Sequence, residues 1–295
     1  MLPDPADRPR LLALGALSAA LLGLVIALAS TLIDTDTERL SADRAAEDLP
    51  SAPKRKPPPP KPVKESERDV AVPILAYQVV ADPSAGGTLS ARSVTKADFE
   101  AQMAWLNQNG YHAVTLQRVH DLWTKGTPLP EQPVVISFDD GYRSVHANAL
   151  PAMRRFKWAG VLFLDLELLG RESEGGLSRR QVTELSRAGW EIDSRTINAR
   201  EDIGRIAGRE PAFFAYDTVS ADAAMAAVKS AGYLGAVTTE PGVARRAEPF
   251  ALNRVRIEGS DGLDGFVRKM TELSQEVAAG PTGATGPTGP SGTTP

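Results

Sequence analysis

Two acidic residues stand side by side at Asp139 and Asp140, closing the apolar run Val134 to Phe138 and preceding Gly141. Adjacent carboxylates at the end of a buried strand are costly to hold together unless a cation or a proton relieves them. The pair can therefore do metal or proton chemistry in a cleft, or both side chains can cap the next helix. Residue type alone leaves these two readings open. Other routes are closed, because a chain without cysteine has no disulfide, no thiolate metal site and no cysteine nucleophile. The three histidines fall at a strand start (His112), on a short helix (His120) and well into the helix after Asp140 (His146), positions that suit surface or packing roles better than metal ligation.

The elements that must position the acid pair alternate from about Val70 to Val277. Val72 to Val80 is apolar and β-branched, and Thr95 with Asp98 three residues on opens a helix carrying Phe99, Met103 and Leu106, stopped by Asn109-Gly110. A strand over Tyr111 to Thr115, a helix over Leu116 to Trp123 and a buried strand over Pro133 to Phe138 follow. Next come a helix over 143–157, a strand over Val161 to Asp165 and a helix opened by the Ser178/Gln181 capping box and running to Ala188. Strands are expected at Trp190 to Ser194, Ala212 to Tyr216, Gly235 to Thr238 and Ala251 to Ile257, with a helix at Ala221 to Ser230. Repeated βα units with buried strands imply one α/β domain whose sheet is mostly parallel or a barrel, with its site at the C-terminal ends of the strands.

The flanks differ from this domain. After residues 1–10, Leu11 to Ile33 is uncharged and apolar, preceded by Arg8 and Arg10 and closed by Asp34, which is long enough to cross a hydrocarbon core of about 30 Å as a helix. A single-pass membrane anchor is the expectation, with the domain outside the cytoplasm, in the periplasm or at the cell surface. A cleavable signal peptide is the rival, since Ala27-Leu28-Ala29 offers small residues for cleavage. Residues 34–69 form a disordered linker with Lys54-Arg55-Lys56 and four consecutive prolines, Pro57 to Pro60, a semi-rigid spacer. Residues 278–295 form a tail with glycine at every third place from Gly280, the collagen period in a stretch too short for a triple helix to be expected. A net charge of −4 gives no reason to expect nucleic acid as a partner.

The words along the domain carry a resemblance. Val72-Pro73-Ile74-Leu75-Ala76-Tyr77, Val134-Val135-Ile136-Ser137-Phe138-Asp139-Asp140-Gly141-Tyr142, Gly189-Trp190-Glu191-Ile192, Phe214-Ala215-Tyr216 and Phe250-Ala251-Leu252-Asn253-Arg254 follow in order. From about Val70 to Lys269 the chain resembles the NodB-type polysaccharide deacetylases, carbohydrate esterase family four. The resemblance implies a distorted (β/α) barrel that removes acetyl groups from N-acetylglucosamine units of an extracellular polymer. It also implies that the first Asp, here Asp139, is the general base, and that the second, here Asp140, joins two histidines around zinc or another divalent metal.

The family's histidines do not follow. Where its metal word reads Ser-His-Thr-x-x-His, this chain has Ser194-Arg195-Thr196-Ile197-Asn198-Ala199, so Arg195 and Ala199 stand in the ligand places. Gln78 replaces the histidine after the first-strand tyrosine, Asp217-Thr218-Val219 replaces the oxyanion turn after Tyr216, and no histidine follows His146 to serve as the late general acid. The stretch from Arg200 to Pro211 reads as too short for the family's usual helix. Arg195 is expected to neutralise Asp139 and Asp140 with permanent charge, supplying no Lewis acid and no activated water. The domain is thus expected to bind without cofactor an N-acetylglucosamine-containing polysaccharide, or a partner in exopolysaccharide or cell-wall handling, through Gln78, Tyr142, Arg195, Asn198 and Tyr216. Two other readings stay open: a working deacetylase with a harder metal among Asp139, Asp140, Asp193 and Asn198, and a structural surface protein.

Overall fold

The computed structural model describes residues 61–83, 91–217 and 222–280. The apolar run at residues 11–33, the linker up to residue 60 and the tail from residue 281 lie outside the described residues. Among the described residues no helix is long and apolar enough to cross a membrane.

A curled sheet forms the centre, with the parallel strands β1 (Val72–Tyr77), β5 (Pro133–Asp140), β6 (Val161–Leu164), β7 (Glu191–Ser194), β8 (Phe213–Ala215) and β9 (Gly235–Val237) in lateral order. Between β1 and β5 in sequence lie the short β2 (Val79–Val80), β3 (Ser93–Val94) and β4 (His112–Ala113). After β9 come β10 (Val243–Ala244), antiparallel to the start of β1, and β11 (Val255–Arg256), parallel to its end. Leu252 bridges to Val237 on β9 while Leu75 and Ala76 pair with β11, so the segment from Leu252 to Arg256 links the two edges of the sheet. This closure explains why the strand expected over Ala251 to Ile257 shrinks to β11, since the chain crosses from one edge to the other and pairs only briefly with each. The fold is thus a distorted, partly closed α/β barrel.

The helices are α1 (Lys96–Gln108), α2 (Leu116–Lys125), α3 (Leu150–Arg154), α4 (Arg179–Arg187), α5 (Arg200–Ala207), α6 (Asp222–Ser230) and α7 (Gly262–Ala279). Local chemistry sets several starts: the Thr95 side chain accepts from the Asp98 N–H, and Ser178 and Gln181 complete the expected capping box. Successive residues of a strand face opposite sides, and both sides are packed here. Leu75, Tyr77, Ile136, Phe138, Leu162, Leu164 and Ile192 point to the helical layer, whereas Ile74, Val135, Val161 and Phe163 join α2 on the concave side. Each fully buried side chain of this size contributes about 1.5–3 kcal/mol. Trp190 stacks on Phe138 with ring centroids 5.2 Å apart, so it belongs to the core and not to a sugar-binding rim.

Four sequence expectations need correction. Residues 143–157 are not one regular helix: Val145–Ala149 is a π-helical turn that runs into α3. The stretch after Arg200 does form a helix, α5, anchored by buried Ile203. The last part of the presumed linker is ordered, because Arg68 donates to the carbonyls of Val63 and Thr124 while the Val63 N–H donates to the Gly126 carbonyl (2.7 Å) at the end of α2. The long α7, which the sequence reading left unassigned, packs Phe266, Met270 and Leu273 into the core.

Candidate functional site

All the groups of the acid site except Arg254 lie at or just beyond the C-terminal end of a strand. Asp139 and Asp140 close β5, Gln78 follows β1, Arg195 follows β7, Asp217 lies beyond β8, Thr238 follows β9 and Arg254 precedes β11. The strand end is shaped by a turn in which Asp140 has φ 71° and Gly141 φ 99°. A Cβ on Gly141 would lie 2.7 Å from a Leu164 methyl carbon, so both backbone angle and space demand glycine. The turn is tied down by the Gly141 N–H donating to the Asp139 carbonyl, and the Asp165 N–H to that of Asp140, each at 2.9 Å.

Asp139 is buried and held by two guanidiniums. Arg254 grips it bidentately, Nη1 to Oδ1 at 2.8 Å and Nη2 to Oδ2 at 3.3 Å, and Arg195 Nη1 lies 3.1 Å from Oδ2. Arg254 is itself fixed, since its Nε donates to the Thr238 carbonyl (2.9 Å) and its guanidinium carbon lies 5.4 Å from the centroid of the Phe163 ring. Arg195 reaches Asp140 as well, Nε to Oδ1 at 3.1 Å, and its Nη2 pairs with Asp217. The Gln78 amide N–H donates to the other oxygen of Asp140. Burial works against the Asp139 charge, but Arg254 and Arg195 outweigh it and hold the carboxyl below its ordinary range. For Asp140 burial wins over Arg195 and Gln78, and its carboxyl lies above that range.

These donors do not fit a divalent metal. Both Asp140 oxygens are already engaged, the ligand place at Ala199 is a buried methyl in the core, and among the described residues no three metal-binding side chains converge. His112 is exposed, His120 packs edge-on to Phe213, and His146 bonds to Glu184 at 2.8 Å. Asp193, considered above as a donor to a harder metal, is turned away: its Oδ1 accepts from the N–H groups of Ala212 (2.9 Å) and Phe213 (3.1 Å).

The other expected binding residues divide. Gln78 lies beside the acid pair, and half-buried Tyr142 sits at its rim, bridged to Gly176 and within the fields of Asp140, Arg92 and Arg195. Asn198 is exposed on the turn Ile197–Ala199 and makes none of the polar contacts that join Arg195 to the carboxylates. Tyr216 is buried against Phe214 and presents no open face on which a sugar could stack. The sequence reading missed Arg254 as a site residue. The word Leu252-Asn253-Arg254 was visible, but its role needs the chain crossing that carries it over Asp139.

Residues 126–228 match the family described as polysaccharide deacetylase. YxkH of Bacillus subtilis, a protein named for that activity, is 29% identical over 221 residues, which are 68% of this chain and 76% of that one. The poly-beta-1,6-N-acetyl-D-glucosamine N-deacetylase of Escherichia coli (strain K12) is 39% identical over 69 residues, 23% of this chain and only 10% of that protein's length. The crystal structure of a polysaccharide deacetylase from Bacillus cereus superposes with a TM-score of 0.60 at 24% identity, covering 68% of this chain and 69% of that one, a likeness of fold. The strand words, the acid pair in its glycine turn and these likenesses agree: residues 126–228 match the polysaccharide deacetylase family, and the chain is similar to proteins named for that activity.

Proposed function

We propose that this is a glycan-binding protein built on the deacetylase barrel that does not turn its ligand over, acting in exopolysaccharide or cell-wall handling. The observation that carries the reading is the seat of Arg195, whose guanidinium lies 3.1 Å from an oxygen of Asp139 and 3.1 Å from one of Asp140. A general base needs a free lone pair aimed at its proton, and a metal ligand needs one aimed at its ion. Arg254 and Arg195 engage both oxygens of Asp139, and Arg195 with Gln78 both oxygens of Asp140, so each carboxylate is directed at fixed donors where a base or a metal ligand would face a water or an ion. A guanidinium does not deprotonate in this setting and cannot lower the pKa of a water as a metal does. The pocket retains polarity for sugar hydroxyls and acetamido groups without the parts of a hydrolytic centre. The relatives named for poly-beta-1,6-N-acetyl-D-glucosamine make an N-acetylglucosamine polymer the first ligand to try. The uncharged run at residues 11–33 supports membrane attachment with the barrel outside the cytoplasm.

The test pairs acetate release with calorimetric binding of poly-N-acetylglucosamine fragments. Binding in the micromolar to millimolar range with no acetate release is the expected result. Acetate release that disappears in Asp139→Asn would overturn it, and protection of the barrel from protease in spheroplasts would remove the proposed topology.

A further inference from the structure

Beside the acid pair, a small depression of about 10 Å³ lies between the end of β1 and β11, lined by Tyr77, Gln78, Asp139, Arg92, Arg256 and Ile257. Its charges are unevenly matched. Asp139 is held by Arg254 and Arg195, and Asp140 by Arg195 and Gln78. Asp261, whose charge is felt at Tyr77, is held by Lys269 at 2.7 Å and accepts from the Glu258 N–H. Arg92 and Arg256 have no ion-pair partner among the described residues. The sequence next to Arg92, residues 84–90, contains no acidic residue that could supply one.

Arg256 faces Ala76 in the β11–β1 ladder and is half-buried, close enough for its charge to act on Asp139. Arg92 is exposed, just before β3. The Gln78 side chain spends its N–H on Asp140 and leaves its buried carbonyl oxygen without a donor. The depression thus offers two guanidiniums seeking an anion and, beside them, one acceptor seeking a hydroxyl or an amide N–H. Neutral N-acetylglucosamine satisfies the second demand and leaves the first unmet.

We propose that the ligand is an anionic polysaccharide, with a sugar carboxylate or phosphate seated between Arg92 and Arg256 and a neighbouring hydroxyl or acetamido N–H donated to Gln78. This assignment rests on the glycan-binding reading and narrows it to a charged substrate class. Guanidiniums suit both oxyanions because their paired N–H groups match two oxygens at once. The depression has room for about one water-sized group, so a single oxygen of the anion enters it and the polymer itself runs along the rim past Tyr142.

The test is calorimetric titration of the full chain with three probes: tetragalacturonate, N-acetylglucosamine 6-phosphate and neutral chitotetraose. At least one anionic probe binds about tenfold more tightly than chitotetraose at low salt, and the margin shrinks as ionic strength rises. The double variant Arg92→Ala/Arg256→Ala loses that preference while its chitotetraose affinity stays the same, and Arg92→Lys/Arg256→Lys keeps most of it. The single variant Arg92→Glu, at an exposed position, gives the same loss should the double variant fold poorly. Which anionic probe wins separates carboxylate from phosphate. Chitotetraose binding with no anionic preference, or a preference that survives the double variant, overturns the assignment and leaves the glycan-binding function standing. No binding of any probe overturns both.

Discussion

The barrel buries carboxylates in two places on one face, and it treats them in opposite ways. Asp139 on β5 pairs in register with Phe163 on β6, and Phe163 with Asp193 on β7, so the two acids flank a single aromatic residue along one row of the sheet. At Asp139 the answer is positive charge, from Arg254 and Arg195. Asp193 has no ion-pair partner among the described residues, and of the cations only the distant charge of Arg209 acts on it. One oxygen accepts two backbone N–H groups and the other is buried without a partner, while Glu191, two residues earlier on the same face, accepts from the Gln117 N–H at the start of α2. Burial and then the nearby Glu191 push the Asp193 carboxyl well above its ordinary range. One end of the row is compensated by cations and its carboxyl held low, the other is raised by burial. A fold that can bury an acid without a paired cation does not need arginines at Asp139 for stability alone, which points to the arginines as part of what the site does.

The largest effect is expected from Arg254, whose side chain is 2% exposed. Arg254→Met leaves the Asp139 charge to Arg195 alone, without its bidentate partner, and should lower unfolding stability by about 3–5 kcal/mol in denaturant titrations. Adding Asp139→Asn to that variant should recover part of the loss, because the charge is removed with its bidentate partner gone. No recovery would mean that Arg254 acts through Thr238 and Phe163 packing and that the row is not an electrostatic contrast. Arg195→Ala comes next, at about 1–3 kcal/mol: Arg254 still covers Asp139, while Asp140 keeps only Gln78. A change near zero would place Arg195 in open water.

The parts of this arrangement that the sequence made legible are local. Caps at Thr95 and Ser178, the apolar strand ending in Asp139-Asp140-Gly141, and the replacement of histidine by Arg195 all lie within a few residues of their effect. The unreadable parts depend on distant segments. Arg254 meets Asp139 only because the chain crosses from β9 to β1, and Asp193 points at the backbone of β8 only because of which face β7 buries. Helix α7 was legible too, since Phe266, Met270 and Leu273 fall at helical spacing, whereas the π-turn at Val145–Ala149 breaks a period that the sequence suggests is continuous.

The two ends of the row should also respond to pH with opposite sign. Asp139, with its folded-state carboxyl held low, contributes stability that is present above the unfolded pKa and is lost as pH falls through the folded one, below about pH 4. Asp193, held high, contributes stability that is present below the unfolded pKa and is lost as pH rises through the folded one, a window that opens near about pH 4 and extends upward. Asp193→Asn removes that titration while retaining an oxygen for the N–H groups of Ala212 and Phe213. Melting temperature against pH should therefore fall more shallowly on the alkaline side in Asp193→Asn than in the parent. An unchanged slope would show that Glu191, or a group elsewhere, carries the alkaline loss.

The smallest effect tests whether the Asp193 end of the row leans on a cation after all. Among the described residues Arg209 is the cation paired near it, with Nη2 3.5 Å from a Glu191 oxygen, but its side chain is 47% exposed while that of Glu191 is 2% exposed. Water screens the arginine, and the Glu191 carboxyl, raised mainly by burial, already takes an N–H from the first turn of α2. Arg209→Ala should therefore cost less than about 1 kcal/mol, the range of an exposed pair. A loss approaching that of Arg254→Met would make Glu191 a buried anion dependent on Arg209, and both ends of the row would then be compensated in the same way.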